Sequence, residues 1–176
     1  MLEKLTHWLK RLGTVGGLVL LALYVFFWVY SLPRTIKVHV TGTEVTRRDI
    51  ENKEGELRTW DVRYVMAEDL EGEAHMFRNE DTGWGWPPYF KFDSGDIAAQ
   101  AQSLATDARQ ETVLVTYYGF RMRLFSIFPN VVSLERVSRD HQPIPWAAIF
   151  VVFVHVVLIG AARVWWRVRT EERDHA

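Results

Sequence analysis

Glu80, Asp81 and Asp93 lie in or beside a stretch, Arg78 to Asp93, that reads RNEDTGWGWPPYFKFD. Carboxylates this close could form an acid/base pair or hold a hard cation. The spacing supports neither: alternating oxygen ligands and the terminal Glu of a calcium loop are missing. Asp81, two positions before Gly83, is explained by turn chemistry. His39, His75 and His141 are scattered without metal-ligand spacing. No G-x-S-x-G, H-E-x-x-H or P-loop occurs. With no Cys in the chain, thiolate metal sites, a Cys nucleophile and a disulfide framework are excluded. No catalytic residue, metal site or cofactor is therefore expected.

The same stretch carries Trp84, Trp86, Tyr89, Phe90 and Phe92 on a path that Gly83, Gly85, Pro87 and Pro88 keep out of regular helix or strand. The rings could stack on a sugar or a base. They could dip into lipid headgroups. They could instead fold back over a sheet and fill one end of it, and this is the favoured expectation because monomers rarely expose so large an apolar patch. LFSIFPN, Leu124 to Asn130, raises the same choice between core packing and a lipid-facing tip.

His155 is the remaining chemical group of note, since it interrupts the uncharged run IPWAAIFVVFVHVVLIGAA from Ile144 to Ala162. An ionisable side chain within a membrane span is a functional-site hypothesis by default. Ligation of a tetrapyrrole metal is one reading, and contact with a partner subunit another. Favoured over both is a neutral ring hydrogen-bonded to Tyr24 or to a backbone carbonyl.

The elements that position these groups begin with two apolar runs. Gly13 to Leu32, GTVGGLVLLALYVFFWVYSL, has no charge over 20 positions, about the length that crosses a ~30 Å hydrocarbon layer as helix. It is too long for a typical signal-peptide core and lacks a small-residue cleavage site after it. Trp8, Trp28, Tyr30, Trp146, Trp165 and Trp166 flank the two runs as interfacial anchors. Expected are a cytoplasmic amphipathic N-terminus at 1–12, transmembrane helices at 13–32 and 144–166, an extracytoplasmic β-rich domain at 33–143 and a charged cytoplasmic tail at 167–176. Gly13, Gly16 and Gly17 in the first run and Gly160 in the second are expected to let the helices approach closely. Near the spans the termini hold seven Lys/Arg against five in the segment between, which favours both termini in the cytoplasm of a bacterial inner membrane.

Between the runs, Ile36, Val38 and Val40 alternate with Lys37 and His39, and Trp60, Val62, Tyr64 and Met66 with Asp61 and Arg63, as in strands. Three more strands are expected at 73–79, 111–118 and 131–137, with TRRDIENKEGE as a loop or hairpin tip. A helix is expected after Asp93 or Ser94 as N-cap, with Ile97, Ala101, Leu104, Ala105 and Ala108 on one face. The expected fold class is a small α+β domain of five antiparallel strands and one helix, flanked by two transmembrane helices, and an OB-like barrel is one form with this element order.

RNEDTGWGWPPYFKFD, LFSIFPNVVSL (Leu124 to Leu134) and a second span opening with IPW (Ile144 to Trp146) resemble the bacterial domain-of-unknown-function family 1523. The resemblance implies an uncharacterised membrane protein and carries over no catalytic residue. The net charge of −1 argues against a nucleic-acid partner. Expected partners are the lipid bilayer and another membrane protein. The expected role is a non-enzymatic envelope protein presenting the domain in an accessory or scaffold capacity. The alternative is a ligand-binding module that uses 84–92 for a glycan or lipid headgroup.

Overall fold

The computed structural model describes residues 2–51 and 57–174. They fall into two units, Met1–His141 and Gln142–Ala176.

In the first unit, α1 (Leu2–Ser31) is one continuous helix of 30 residues, about 45 Å long at ~1.5 Å per residue. Its stretch Lys10–Ser31 is long and apolar enough to cross a membrane, with mean hydropathy 2.2. Of the expected separate N-terminal segment at 1–12, residues 2–12 are the start of this same helix. Of the leucines that recur at helical spacing in this segment, the side chains of Leu2, Leu5 and Leu9 lie outside those described, and Leu12 is exposed. In the second unit, α3 (Trp146–Asp174) offers the stretch Trp146–Glu171 with mean hydropathy 2.4. The residues expected as a tail from 167 continue α3 as far as Asp174. Arg and Glu, both good helix formers, sustain helix there without a Gly or Pro to stop it.

The rest of the first unit is a closed five-stranded barrel in the order β1-β2-β3-β5-β4. Its strands are β1 (Arg34–Glu51), β2 (Leu57–Asp69), β3 (Ala74–Arg78), β4 (Val113–Tyr118) and β5 (Asn130–Arg136), with α2 (Ser94–Thr106) between β3 and β4. The expected element order is found. The expectation of antiparallel strands throughout is corrected, because β3 and β5 meet in parallel at Arg78 and Asn130. That parallel pair is what closes the barrel.

β1 pairs with β4 through Arg34–Val38 and with β2 from Val38 onward. Its ladder slips between Val40 and Gly42, a bulge that bends the long strand so that it serves two neighbours. Thr46 to Glu51, expected in a loop, extends β1, and Leu57 opens β2. The tip of that hairpin lies outside the described residues.

Val38, Val40, Val65, Ala67, Phe77, Val113, Val115, Val131 and Leu134 fill the interior, with Ile97, Ala101 and Leu104 of α2 laid against them. The positions of these three on α2 give the helix its single apolar stripe. Ala108 falls beyond the end of α2 and is exposed. β2 contributes Val65 and Ala67 to this core, the opposite parity from the expected Tyr64 and Met66. Tyr64 is buried outside it, edge-on to Phe128 at 5.3 Å. The side chain of Trp60 is outside those described.

Candidate functional site: the aromatic loop at the end of the first helix

The last turn of an α-helix leaves its carbonyls without intrahelical donors. In α1 the barrel supplies them. The Tyr89 hydroxyl donates to the Ser31 carbonyl at 2.5 Å, the Gly119 amide to the Tyr30 carbonyl at 3.0 Å, and Arg34 Nη2 to the Val29 carbonyl at 3.2 Å. Arg34 also places positive charge at the negative end of the helix dipole. Ring packing reinforces the join. Trp86 stacks on Phe27 with centroids 4.7 Å apart, and its Nε1 donates to Ser31 Oγ at 2.8 Å. Tyr89 stacks on Tyr118, which Tyr30 meets edge-on. Helix α1 therefore enters the barrel through a continuous set of hydrogen bonds and rings.

The loop that makes this join is held to the barrel from beneath. Lys91 is only 4 % exposed, and its Nζ donates to Asn79 Oδ1 at 2.6 Å and the Val131 carbonyl at 2.8 Å. Asn79, itself buried, donates to the Ser94 carbonyl at 2.7 Å. Asn130 accepts from the Glu80 amide and donates to the Glu80 carbonyl, both at 2.9 Å, as a neighbouring strand would. Burial lowers the Lys91 pKa to about 8, against the opposing pull of Asp93, Asp81 and Glu80. Burial also pushes the Tyr89 and Tyr118 hydroxyls upward.

Asp81 has a larger role than turn chemistry. Its Oδ1 accepts from the Ser94 amide at 2.9 Å and its Oδ2 from Ser94 Oγ at 2.9 Å. Asp93 is the N-cap by position, yet its side chain makes no capping hydrogen bond. The carboxylate that satisfies the start of α2 thus comes from the loop, 13 residues upstream.

The favoured expectation for the five rings is corrected in part. Trp86 and Tyr89 pack on α1 and Tyr118 and do not cap the barrel. Trp84, Phe90 and Phe92 are 84, 55 and 58 % exposed and form a cluster of their own, with Phe90 and Phe92 each edge-on to Trp84 at 5.6 Å. Along Phe90-Lys91-Phe92 the cation points inward and the rings outward. LFSIFPN is corrected likewise: Leu124 and Phe125 are 87 and 64 % exposed, and of the apolar residues before Pro129 only Phe128 turns inward. Beside the loop, Tyr30, Trp86 and Phe120 wall a cavity of about 280 Å³ with Arg78, Glu80 and Asn130 on its polar side. Arg78 and Glu80 form an ion pair there. Such a cavity can seat a small polar group between aromatic faces.

The other expected positions stand apart from this site. His155 Nδ1 lies 2.6 Å from the Val151 carbonyl on its own helix, the geometry of an N–H donor to backbone. A Cβ added to Gly13, Gly16, Gly17 or Gly160 would meet open space, so each is a notch in the surface of its helix. His75 binds Asp69 at 2.8 Å and His39 Nδ1 faces the Glu111 carbonyl at 3.2 Å. Among the described residues no group of three or more His, Asp or Glu could hold a metal ion. Sequence reasoning missed Ser31, Asn79, Lys91 and Asn130. The only signal was a Lys set between two Phe, which period two allows to face either way.

An "Uncharacterized protein" of Haemophilus influenzae is 35 % identical over 122 residues, covering 65 % of this chain and 67 % of its own length. No solved structure matches the chain. A family model matches residues 9–170, a range that includes most of α1, the whole barrel and most of α3. The chain therefore belongs to the family described as protein of unknown function (DUF1523).

Proposed function

We propose that this chain is a non-enzymatic envelope protein whose two apolar helices cross the bacterial inner membrane and present an OB-like barrel, as an accessory or scaffold module, to another membrane protein. Both termini lie in the cytoplasm and the barrel outside it, in keeping with the excess of Lys and Arg at the ends of the spans. The barrel order, the parallel β3–β5 closure and the helix before β4 support the OB-like assignment.

One observation carries the interaction reading: the loop 84–92 turns Trp84, Phe90 and Phe92 outward and its lysine inward at the end of an apolar helix. A segment immersed in water would bury the rings. Trp84, Phe90 and Phe92 suit a partner's apolar surface at the membrane boundary, where Trp is favoured as an anchor. The absence of Cys makes the test clean. A benzophenone placed through Trp84→Cys in native membranes is expected to give one protein adduct of defined mass. Lipid adducts alone would refute the partner. Release of the full chain by alkaline carbonate would refute the membrane anchor.

The aromatic-walled cavity beside Trp86 favours a second reading, in which 84–92 helps to hold a glycan or lipid headgroup. Loss of headgroup or glycan binding on Trp86→Ala, with the barrel still folded, would support it.

A further inference from the structure

The connection from Gly119 to Pro129 between β4 and β5 is a built tip. Met122 and Ile127 exchange amide-to-carbonyl hydrogen bonds of 3.0 and 3.1 Å, closing the chain on itself. Arg121 Nη1 donates to the Ile127 carbonyl at 2.9 Å while its guanidinium lies 4.0 Å from the centre of the Phe128 ring. A single 3₁₀ turn, Arg123–Phe125, then presents Leu124 and Phe125 to the outside. The base of the tip is fixed to the end of α1 through Gly119 and Tyr30. Leu124 is five residues from Gly119 and so lies at most about 18 Å from it.

Beside the tip, Arg34, Arg121 and Arg123 line one cavity of about 490 Å³ together with Phe120, His75 and Glu73. Among the described residues none of these arginines forms an ion pair with a carboxylate. Asp69, also in the lining, is held by His75. The cavity thus gathers three guanidinium groups against two carboxylates, Glu73 and the His75-bound Asp69. This excess of positive charge suits an anion, and the exposed apolar tip beside it suits a surface without water.

We propose that this cavity takes the phosphate of an anionic phospholipid while Leu124 and Phe125 enter the adjoining acyl region. The inference rests on the membrane reading above, and it gives the barrel its own hold on the bilayer besides the helices. Guanidinium groups match phosphate oxygens in geometry as well as charge. Basic residues at an anionic surface attract it additively.

The full chain carrying Leu124→Cys, labelled with an environment-sensitive fluorophore, is reconstituted in nanodiscs of phosphatidylcholine with or without phosphatidylglycerol. With phosphatidylglycerol present, label emission is expected to shift to the blue and to be quenched by brominated acyl chains. Arg123→Gln is expected to lower the preference for the anionic lipid roughly fivefold, and Arg123→Lys to restore most of it. Because Arg123 caps neither α1 nor the tip's backbone, the single variant keeps the fold. Four outcomes overturn the proposal: equal emission in both lipids, no effect of Arg123→Gln, displacement by soluble glycerol phosphate, or shielding from iodide without quenching by bromolipid. The last would place a protein over the tip. Failure of the membrane reading shows separately, as release of the unlabelled chain by carbonate.

Discussion

Lys91 is the residue on which the aromatic loop turns. An ammonium group leaves water only where acceptors wait for it, and Asn79 Oδ1 and the Val131 carbonyl are those acceptors. Lys91→Met strands both, so a loss of about 1–3 kcal/mol in unfolding free energy is expected by denaturant titration. The pH dependence has a definite sign. Lys91 loses its proton at about 8 in the folded chain and at its ordinary value of 10.5 when unfolded. Between these values the unfolded chain binds more protons, so this group makes stability rise with pH. Tyr89 and Tyr118, raised by burial, act in the opposite direction above their ordinary value of 10.0. Wild type minus Lys91→Met should therefore show a positive slope from pH 8 to 10; a flat difference would contradict the assignment. Asp69 acts in the same sense as Lys91, at acid pH. The His75 hydrogen bond, and then the Glu73 amide, hold its carboxyl below the ordinary value of 3.8. Its contribution is complete above that value and is lost as pH falls through the folded one. Asp69→Asn should flatten the acid limb of the stability curve.

At the scale of elements, side chains borrowed from elsewhere complete two helix ends. Asp81 serves the start of α2 across 13 residues of chain. Its replacement by Ala should cost about 1 kcal/mol and speed amide exchange from Ser94 to Ile97 while leaving β1–β2 protection unchanged. At the other end, the Tyr89 hydroxyl serves the Ser31 carbonyl. Tyr89→Phe keeps the stack on Tyr118 and removes only that donor. Faster exchange in the last turn of α1, with little change in overall stability, is the expected result. Both joins depend on the same loop, so the barrel, α2 and α1 share one set of fastenings.

For the whole molecule, the join between α1 and the barrel means that the barrel follows any tilt of its helix. The charge bias near the spans predicts opposite accessibility for the two parts of the first unit. With the chain free of Cys, Thr43→Cys should react with an impermeant maleimide added outside spheroplasts, and His7→Cys only after permeabilisation. The opposite pattern would reverse the proposed orientation.

The two apolar runs, the alternation of Ile36, Val38 and Val40, the stripe Ile97, Ala101 and Leu104, and the element order were legible in the sequence, because each is a local repeat that matches a backbone period. The conduct of RNEDTGWGWPPYFKFD was not. Whether Lys91 or its Phe neighbours face inward is decided by acceptors on β5 and at Asn79, and whether Trp86 packs on strands or on α1 by where that helix ends. The parallel contact of Arg78 with Asn130 and the capping by Asp81 likewise join residues distant in the chain. Local periodicity carries hydrophobic direction; it holds no record of which polar partner, many residues away, makes burying a charge tolerable. Only the closed barrel brings those partners together.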